Sequence, residues 1–287
     1  MRALPVRGND RRAGTRRAVL VPLLVALLTA LVAALAAACA PSVDPIERLG
    51  RRAAEGARAS HGSGAEPSYR RYGPAAPLRT APHPAGRAGR ERGPLPPVLD
   101  RVPTRDRVVF LTYDDGAERD PRFVDLVRDL RLPVGLFLTD SVVGPGYGYF
   151  ARLRAVGASV QNHTLDHPAL RGLPYAGQRA EICGQRDKLH ARFGVRPRLF
   201  RPPYGTYDTT TLRAAADCGV SALVLWRACT DGTDLRFTHG PARLLPGDIV
   251  SLTPDETAGD GLRERTARLL RRIQRQGLTV GRLEDYL

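Results

Sequence analysis

From Val108 onward, short apolar runs alternate with stretches whose apolar residues recur every three to four positions. The runs at 108–112, 134–138, 158–161, 198–200, 221–225, 248–252 and 278–281 predict strands; 121–130, 149–156, 176–193, 209–217 and 262–276 predict helices. In the last helix Leu262, Thr266, Leu269, Leu270 and Ile273 form one stripe, and Gly277 follows as a C-cap. Regular alternation of strand and helix implies a mainly parallel sheet, and seven strands fit a closed or nearly closed barrel. Such sheets collect functional groups at the C-terminal ends of their strands.

The first 104 residues lack this periodicity. Residues 1–17 carry six arginines, and Ala18 to Ala38 follow without a charge, ending at Cys39. A charged n-region, an apolar core and a small-residue exit predict an export segment over 1–39. Thr15-Arg16-Arg17-Ala18-Val19-Leu20 looks like a twin-arginine signal. Leu35-Ala36-Ala37-Ala38-Cys39 resembles a lipoprotein box with its Leu one place too far from Cys39, the residue that would be lipidated. Ordinary cleavage and an uncleaved membrane anchor fit as well. All three endings predict an exported protein, either secreted or held at the cell surface through the membrane. Residues 40–104 contain 11 prolines and no sustained apolar period, so a disordered spacer is expected before a domain over 105–287.

The formal net charge of +15 invites a nucleic-acid reading. Its distribution argues against one. Residues 1–107 hold 19 Arg against 8 acids, whereas 108–287 hold 24 Arg and Lys188 against 21 acids. The excess lies mainly in the tail and predicts solvation, or attraction to an anionic membrane or wall polymer.

The candidate chemistry lies in three stretches. Asn162-His163-Thr164-Leu165-Asp166-His167-Pro168 sets two histidines four apart. On one helical turn that spacing places both imidazoles on one face, within reach of one ion, although a pair of surface side chains fits the spacing too. Leu111-Thr112-Tyr113-Asp114-Asp115-Gly116 closes the first apolar run, and Phe200-Arg201-Pro202-Pro203-Tyr204-Gly205 follows another. Alone, the first reads as a turn with a polar exit and the second as a rigid loop. Together, two carboxylates and two imidazoles are what a divalent ion and an activated water require. One Asp and two His leave coordination positions open, the mark of a catalytic site.

In this order the three stretches resemble the polysaccharide deacetylase family (NodB homology, carbohydrate esterase family 4), whose motifs read T-F-D-D-G, H-(S/T)-x-x-H-P and R-x-P-Y. Tyr113 replaces the Phe, and the other two fit. The resemblance implies an irregular (β/α)7, TIM-barrel-like fold. It also implies a metal held by Asp115, His163 and His167, with zinc first and cobalt or nickel as alternatives. Asp114 is then the base and Arg201 holds it ionised. The backbone N–H of Tyr204 helps stabilise the oxyanion, with Tyr113, Pro203, Tyr204 and Trp226 around the substrate. Trp226 would line the acetyl pocket or, on burial alone, fill the barrel core. The implied reaction is hydrolysis of acetyl groups on an N-acetylated cell-wall glycan, peptidoglycan foremost, by a monomer.

Two departures bear on this reaction. Where the family's fifth motif has Leu-x-His, with a His that protonates the leaving amine, the sequence has Ser251-Leu252-Thr253; Asp114 or Asp255 would have to supply the proton instead. Where the fourth motif has an Asp after its Trp, Cys229 stands, with Asp231 two residues on. A slow deacetylase, an inactive glycan-binding relative and an O-acetyl-xylan-type esterase all fit these changes. Cys183 and Cys218 lie on consecutive helices flanking the Arg201 loop, and export favours oxidation, so these two are expected to pair and leave Cys229 over. His61, His83, His190 and His239 stand in no motif and are expected to be solvated.

Overall fold

The computed structural model describes residues 68–82, 84, 93–231, 234–252 and 261–287. The export segment with Cys39, His61 and His83, and Thr253 with Asp255, lie outside the described residues. Among those described, no helix is long and apolar enough to cross a membrane.

Ten strands form the sheet: β1 Val98–Leu99, β2 Val108–Asp115, β3 Val134–Leu138, β4 Ser159–Asn162, β5 Leu199–Phe200, β6 Ala222–Val224, β7 Ala228–Asp231, β8 Asp234–Phe237, β9 Ile249–Leu252 and β10 Thr279–Val280. Among the described residues seven α-helices accompany them: α1 Ser68–Arg71, α2 Pro121–Leu130, α3 Asp140–Val143, α4 Tyr147–Ala155, α5 Tyr175–Phe193, α6 Thr209–Asp217 and α7 Leu262–Arg275. The strands run in the order β1-β6-β5-β4-β3-β2-β9-β7-β8, with β10 beside β2. All pair in parallel except the β7–β8 hairpin. The sheet curls with its helices into an irregular, barrel-like shape.

All seven expected strands form, and the stripe on α7 is buried. Within the span expected as a spacer, 40–104, the described residues pack against the body. Tyr72 is buried against the body and its hydroxyl donates to Asp129 Oδ2 at 2.8 Å; the Thr279 hydroxyl bonds the Arg79 carbonyl, and the Tyr286 hydroxyl donates to the Pro82 carbonyl at 2.7 Å. Further on, β1 lies along β6, and Arg101 then bridges Asp248 at the start of β9. Residues 98–102 therefore link β6 to β9 around the barrel. Gly247 permits this approach: its φ is +88°, and a Cβ there would meet the Val102 carbonyl oxygen at 2.0 Å. Backbone hydrogen bonds order this proline-rich stretch, and they leave no periodic apolar signature.

Two packed layers result. Val108, Phe110, Phe137, Val224 and Ile249 fill the barrel interior, while Val109, Leu111, Tyr113, Val250 and Leu252 face the helices. Along β2 and β9 alternate residues thus take opposite sides.

Candidate active site

The same alternation builds the site. Continuing inward from Phe110, β2 contributes Thr112 and then Asp114 at its C-terminal end; continuing from Ile249, β9 contributes Ser251. The loop after β5 inserts Arg201 between them, fully buried. Its Nη1 donates to Asp114 Oδ1 at 2.5 Å and to Thr112 Oγ1 at 2.9 Å. Nε and Nη2 donate to the carbonyls of Val224 and Leu225, and the guanidinium lies 4.3 Å from the centre of the Phe137 ring. Ser251 donates its hydroxyl to Asp114 Oδ2 at 2.7 Å. Both oxygens of one carboxylate are therefore held, from two strands. Burial pulls the Arg201 guanidinium below its ordinary value, and the adjacent Asp114 offsets part of that loss.

One residue on, the chain leaves the sheet. Asp115 takes a φ of +65° and Gly116 one of +90°, which turns the Asp115 carboxylate away from Asp114 and toward the loop after β4. There His163 Nε2 stands 3.1 Å and His167 Nε2 3.0 Å from Asp115 Oδ1. The two histidines do not share a helical turn, which corrects the expectation from their spacing. They sit in a folded loop with φ of +76° at Thr164 and +59° at His167. Asn162 Oδ1 accepts from the Thr164 N–H, and Thr164 Oγ1 accepts from the His167 N–H, fixing this strained backbone. The imidazole planes meet edge to face at 5.0 Å, and Tyr204, 65% exposed with a φ of +58°, packs its ring against His167 at 4.8 Å.

The polysaccharide deacetylase family pattern matches residues 101–223. An uncharacterised Streptomyces coelicolor protein is 65% identical over 215 residues, 75% of this chain and 86% of that one. A Bacillus cereus peptidoglycan-N-acetylglucosamine deacetylase is 24% identical over 214 residues, 69% of this chain and 97% of its own. The chain belongs to the polysaccharide deacetylase family. The fold agrees: a CE4 family pseudoenzyme from Bacillus anthracis superposes with a TM-score of 0.58 over 67% of this chain and 69% of its own, at 20% identity.

Polysaccharide deacetylases are metal-dependent hydrolases, and this chain's own residues fit an ion. His163 Nδ1 faces the carbonyl of Arg201 at 2.7 Å. A carbonyl only accepts, so Nδ1 carries a proton and Nε2 is the ring nitrogen that faces Asp115. Asp115 Oδ1 is buried and has no aligned hydrogen-bond donor, although two imidazole nitrogens lie within 3.1 Å. Burial alone would raise the Asp115 pKa; the facing imidazoles outweigh it and hold the carboxyl well below the usual range. One carboxylate oxygen and two imidazole nitrogens, all within 4.8 Å of one another, make a ligand set that fits a divalent cation.

The remaining expected residues divide. Tyr113 is not at the deacetylase site: it faces the helix layer, packs on Phe123 at 4.8 Å and bonds Thr266 through its hydroxyl, because it is one residue out of phase with Asp114. Pro203 is buried, next in the chain to the exposed Tyr204. Trp226 is half-buried with its ring 5.3 Å from the Arg201 guanidinium, so it touches both the interior packing and the site. Cys183 and Cys218 are joined in a disulfide between α5 and α6. Cys229 lies outside that bridge, in register with Ser251. Leu252 pairs with Tyr113 at the end of β9, and Thr253 lies outside the described residues.

Sequence reasoning missed Thr112 and Ser251. The signal was present: each is a polar residue at an inward position of an otherwise apolar strand, and the two stand opposite each other. It also missed Arg227, which follows Trp226. Arg227 is buried, forks onto Asp248 and caps the carbonyls of His239, Pro241 and Arg243, fixing the loop before β9.

Proposed function

We propose that this deacetylase removes acetyl groups from an N-acetylated cell-wall polysaccharide, peptidoglycan first, with zinc as its ion and cobalt or nickel as substitutes. The observation that carries the reading is the pair of adjacent carboxylates with separate duties: Asp114 clamped by Arg201 and Ser251, Asp115 turned to two imidazoles. The Bacillus cereus relative, matched over nearly its whole length, favours peptidoglycan.

Asp115, His163 and His167 would hold a divalent ion, whose Lewis acidity would act on an acetyl carbonyl and on a bound water. Asp114 takes the proton of the attacking water; Arg201 keeps it ionised beforehand, and Ser251 fixes its angle. The backbone N–H of Tyr204 donates to the developing oxyanion. The leaving nitrogen must be protonated, because an amide anion is too basic to leave. With Thr253 in place of an imidazole, Asp114 returns the proton it has taken, and turnover is slow. Acetate release from peptidoglycan by the zinc-loaded protein, lost in Asp114→Asn, is the test. Bound metal without acetate from any substrate would instead establish a glycan-binding relative that has lost the chemistry, and faster release from acetyl-xylan would establish an esterase.

The protein is proposed to be exported and held at the cell surface by its N-terminus. Release into the medium on Cys39→Ser marks lipid anchoring, and intact precursor in the cytosol refutes export.

A further inference from the structure

The charge on α7 is not explained by the site. Residues 261–276 hold six arginines and one acid, Glu264. Arg268, Arg271, Arg272 and Arg275 follow the i, i+3, i+4, i+7 spacing of one helix face, where like charges repel and weaken the helix. Glu264 is already shared between Arg122 and Arg263, and Glu118 pairs with Arg265. Among the described residues no ion pair reaches Arg271, Arg272 or Arg275.

This face borders two grooves. One, of about 210 Å³, lies between α7 and the β7–β8 hairpin, with five arginines and the single carboxylate of Asp234 around it. The other, of about 420 Å³, lies between α7 and residues 73–79, with Arg79 and no acid. Arg271 and Arg275 line both, which joins the grooves into one basic strip. At its N-terminal end Arg265 bonds Glu118, three residues past Asp115 along the chain.

We propose that this strip binds a linear polyanion bearing phosphate groups, holding the protein on an anionic polymer while the site works nearby. Guanidinium forks match phosphate oxygens in pairs, and a groove follows a chain better than a flat surface. A membrane surface fits poorly, because the exposed large hydrophobic residues among those described are Leu173, Tyr175 and Tyr204, none on α7. Single-stranded nucleic acid also fits poorly, because neither groove has an aromatic lining residue on which bases could stack. This proposal stands whether or not the deacetylase reading holds.

The test uses the full chain and short linear polyphosphate as probe. Arg271→Gln with Arg275→Gln is expected to weaken binding about 10-fold in low salt and to lower the slope of log affinity against log salt by about 2, one for each guanidinium withdrawn from a phosphate. Replacing Arg11 and Arg12 of the basic tail by Gln is expected to change affinity less than half as much. Phenylglyoxal labelling, read by mass spectrometry, is expected to show Arg271 and Arg275 protected by polyphosphate, with acetate release from short soluble oligomers unchanged in the double variant. Equal affinity in variant and parent, protection confined to the tail, or preferential binding to anionic vesicles or oligonucleotides would each overturn the proposal.

Discussion

Ser251→Ala isolates the least expected element of the site. Ser251 is fully buried and donates to Asp114 Oδ2 at 2.7 Å, while Arg201 holds the other oxygen. The substitution removes one donor and leaves a gap the size of a hydroxyl, so packing barely changes. A hydrogen bond to a charged group contributes about 1.5–3 kcal/mol. Asp114 keeps 8% of its surface open, so water recovers part of that. A remaining loss of about 1–2 kcal/mol in the transition state corresponds to a fall of about 5- to 30-fold in kcat/KM. The loss should appear in kcat, with KM nearly unchanged, because Ser251 orients the base and does not touch the sugar. Acetate release from N-acetylglucosamine oligomers by the metal-loaded protein, with a thermal melt as control, measures it. Ser251→Thr, which keeps the hydroxyl, should restore most of the rate. A kcat within twofold of the parent in Ser251→Ala, or a loss that Thr does not rescue, would refute the assigned role.

Thr253→His should raise amide turnover by about 10- to 1000-fold and ester turnover less, since a general acid is worth up to about 10⁴ and an alkoxide leaves unaided; unchanged amide turnover would show another acid at work. His163→Ala with His167→Ala should fold normally yet carry no stoichiometric metal by elemental analysis, and metal equal to the parent would remove the site from this loop. The N–H groups of Gly172 and Thr211 hold the Asp208 carboxylate, the N-cap of α6, at a pKa of about 2. Its folded pKa is depressed, so its stabilisation is complete above the unfolded value of about 4 and fades as pH falls toward 2. Asp208→Asn should therefore melt below the parent at pH 6, with the gap closing between pH 4 and 2; a gap independent of pH would contradict this.

The sheet and its helices were legible because apolar periodicity is a local signal. Strand β1 and the β7–β8 hairpin were not, since two residues beside prolines and a half-exposed edge strand carry little periodicity. The grouping of Asp115, His163 and His167 was legible in residue type and order, but its geometry was not. The spacing of His163 and His167 suggested a helix, while positive φ angles at Thr164 and His167 make the convergence in a loop. Such angles depend on tertiary hydrogen bonds from Asn162 and Thr164, which no local pattern announces. Tyr113 went astray for a simpler reason: a motif names neighbours, and a strand sends neighbours to opposite faces.

The central claim is that Asp114 acts as a base beside an ion held by Asp115, His163 and His167. Acetate release from peptidoglycan, measured on the zinc-loaded parent and on Asp114→Asn carrying the same metal content, tests it most directly. Slow but metal-dependent release by the parent and none by the variant is expected. Equal release by both would contradict it, as would no release by a fully loaded parent.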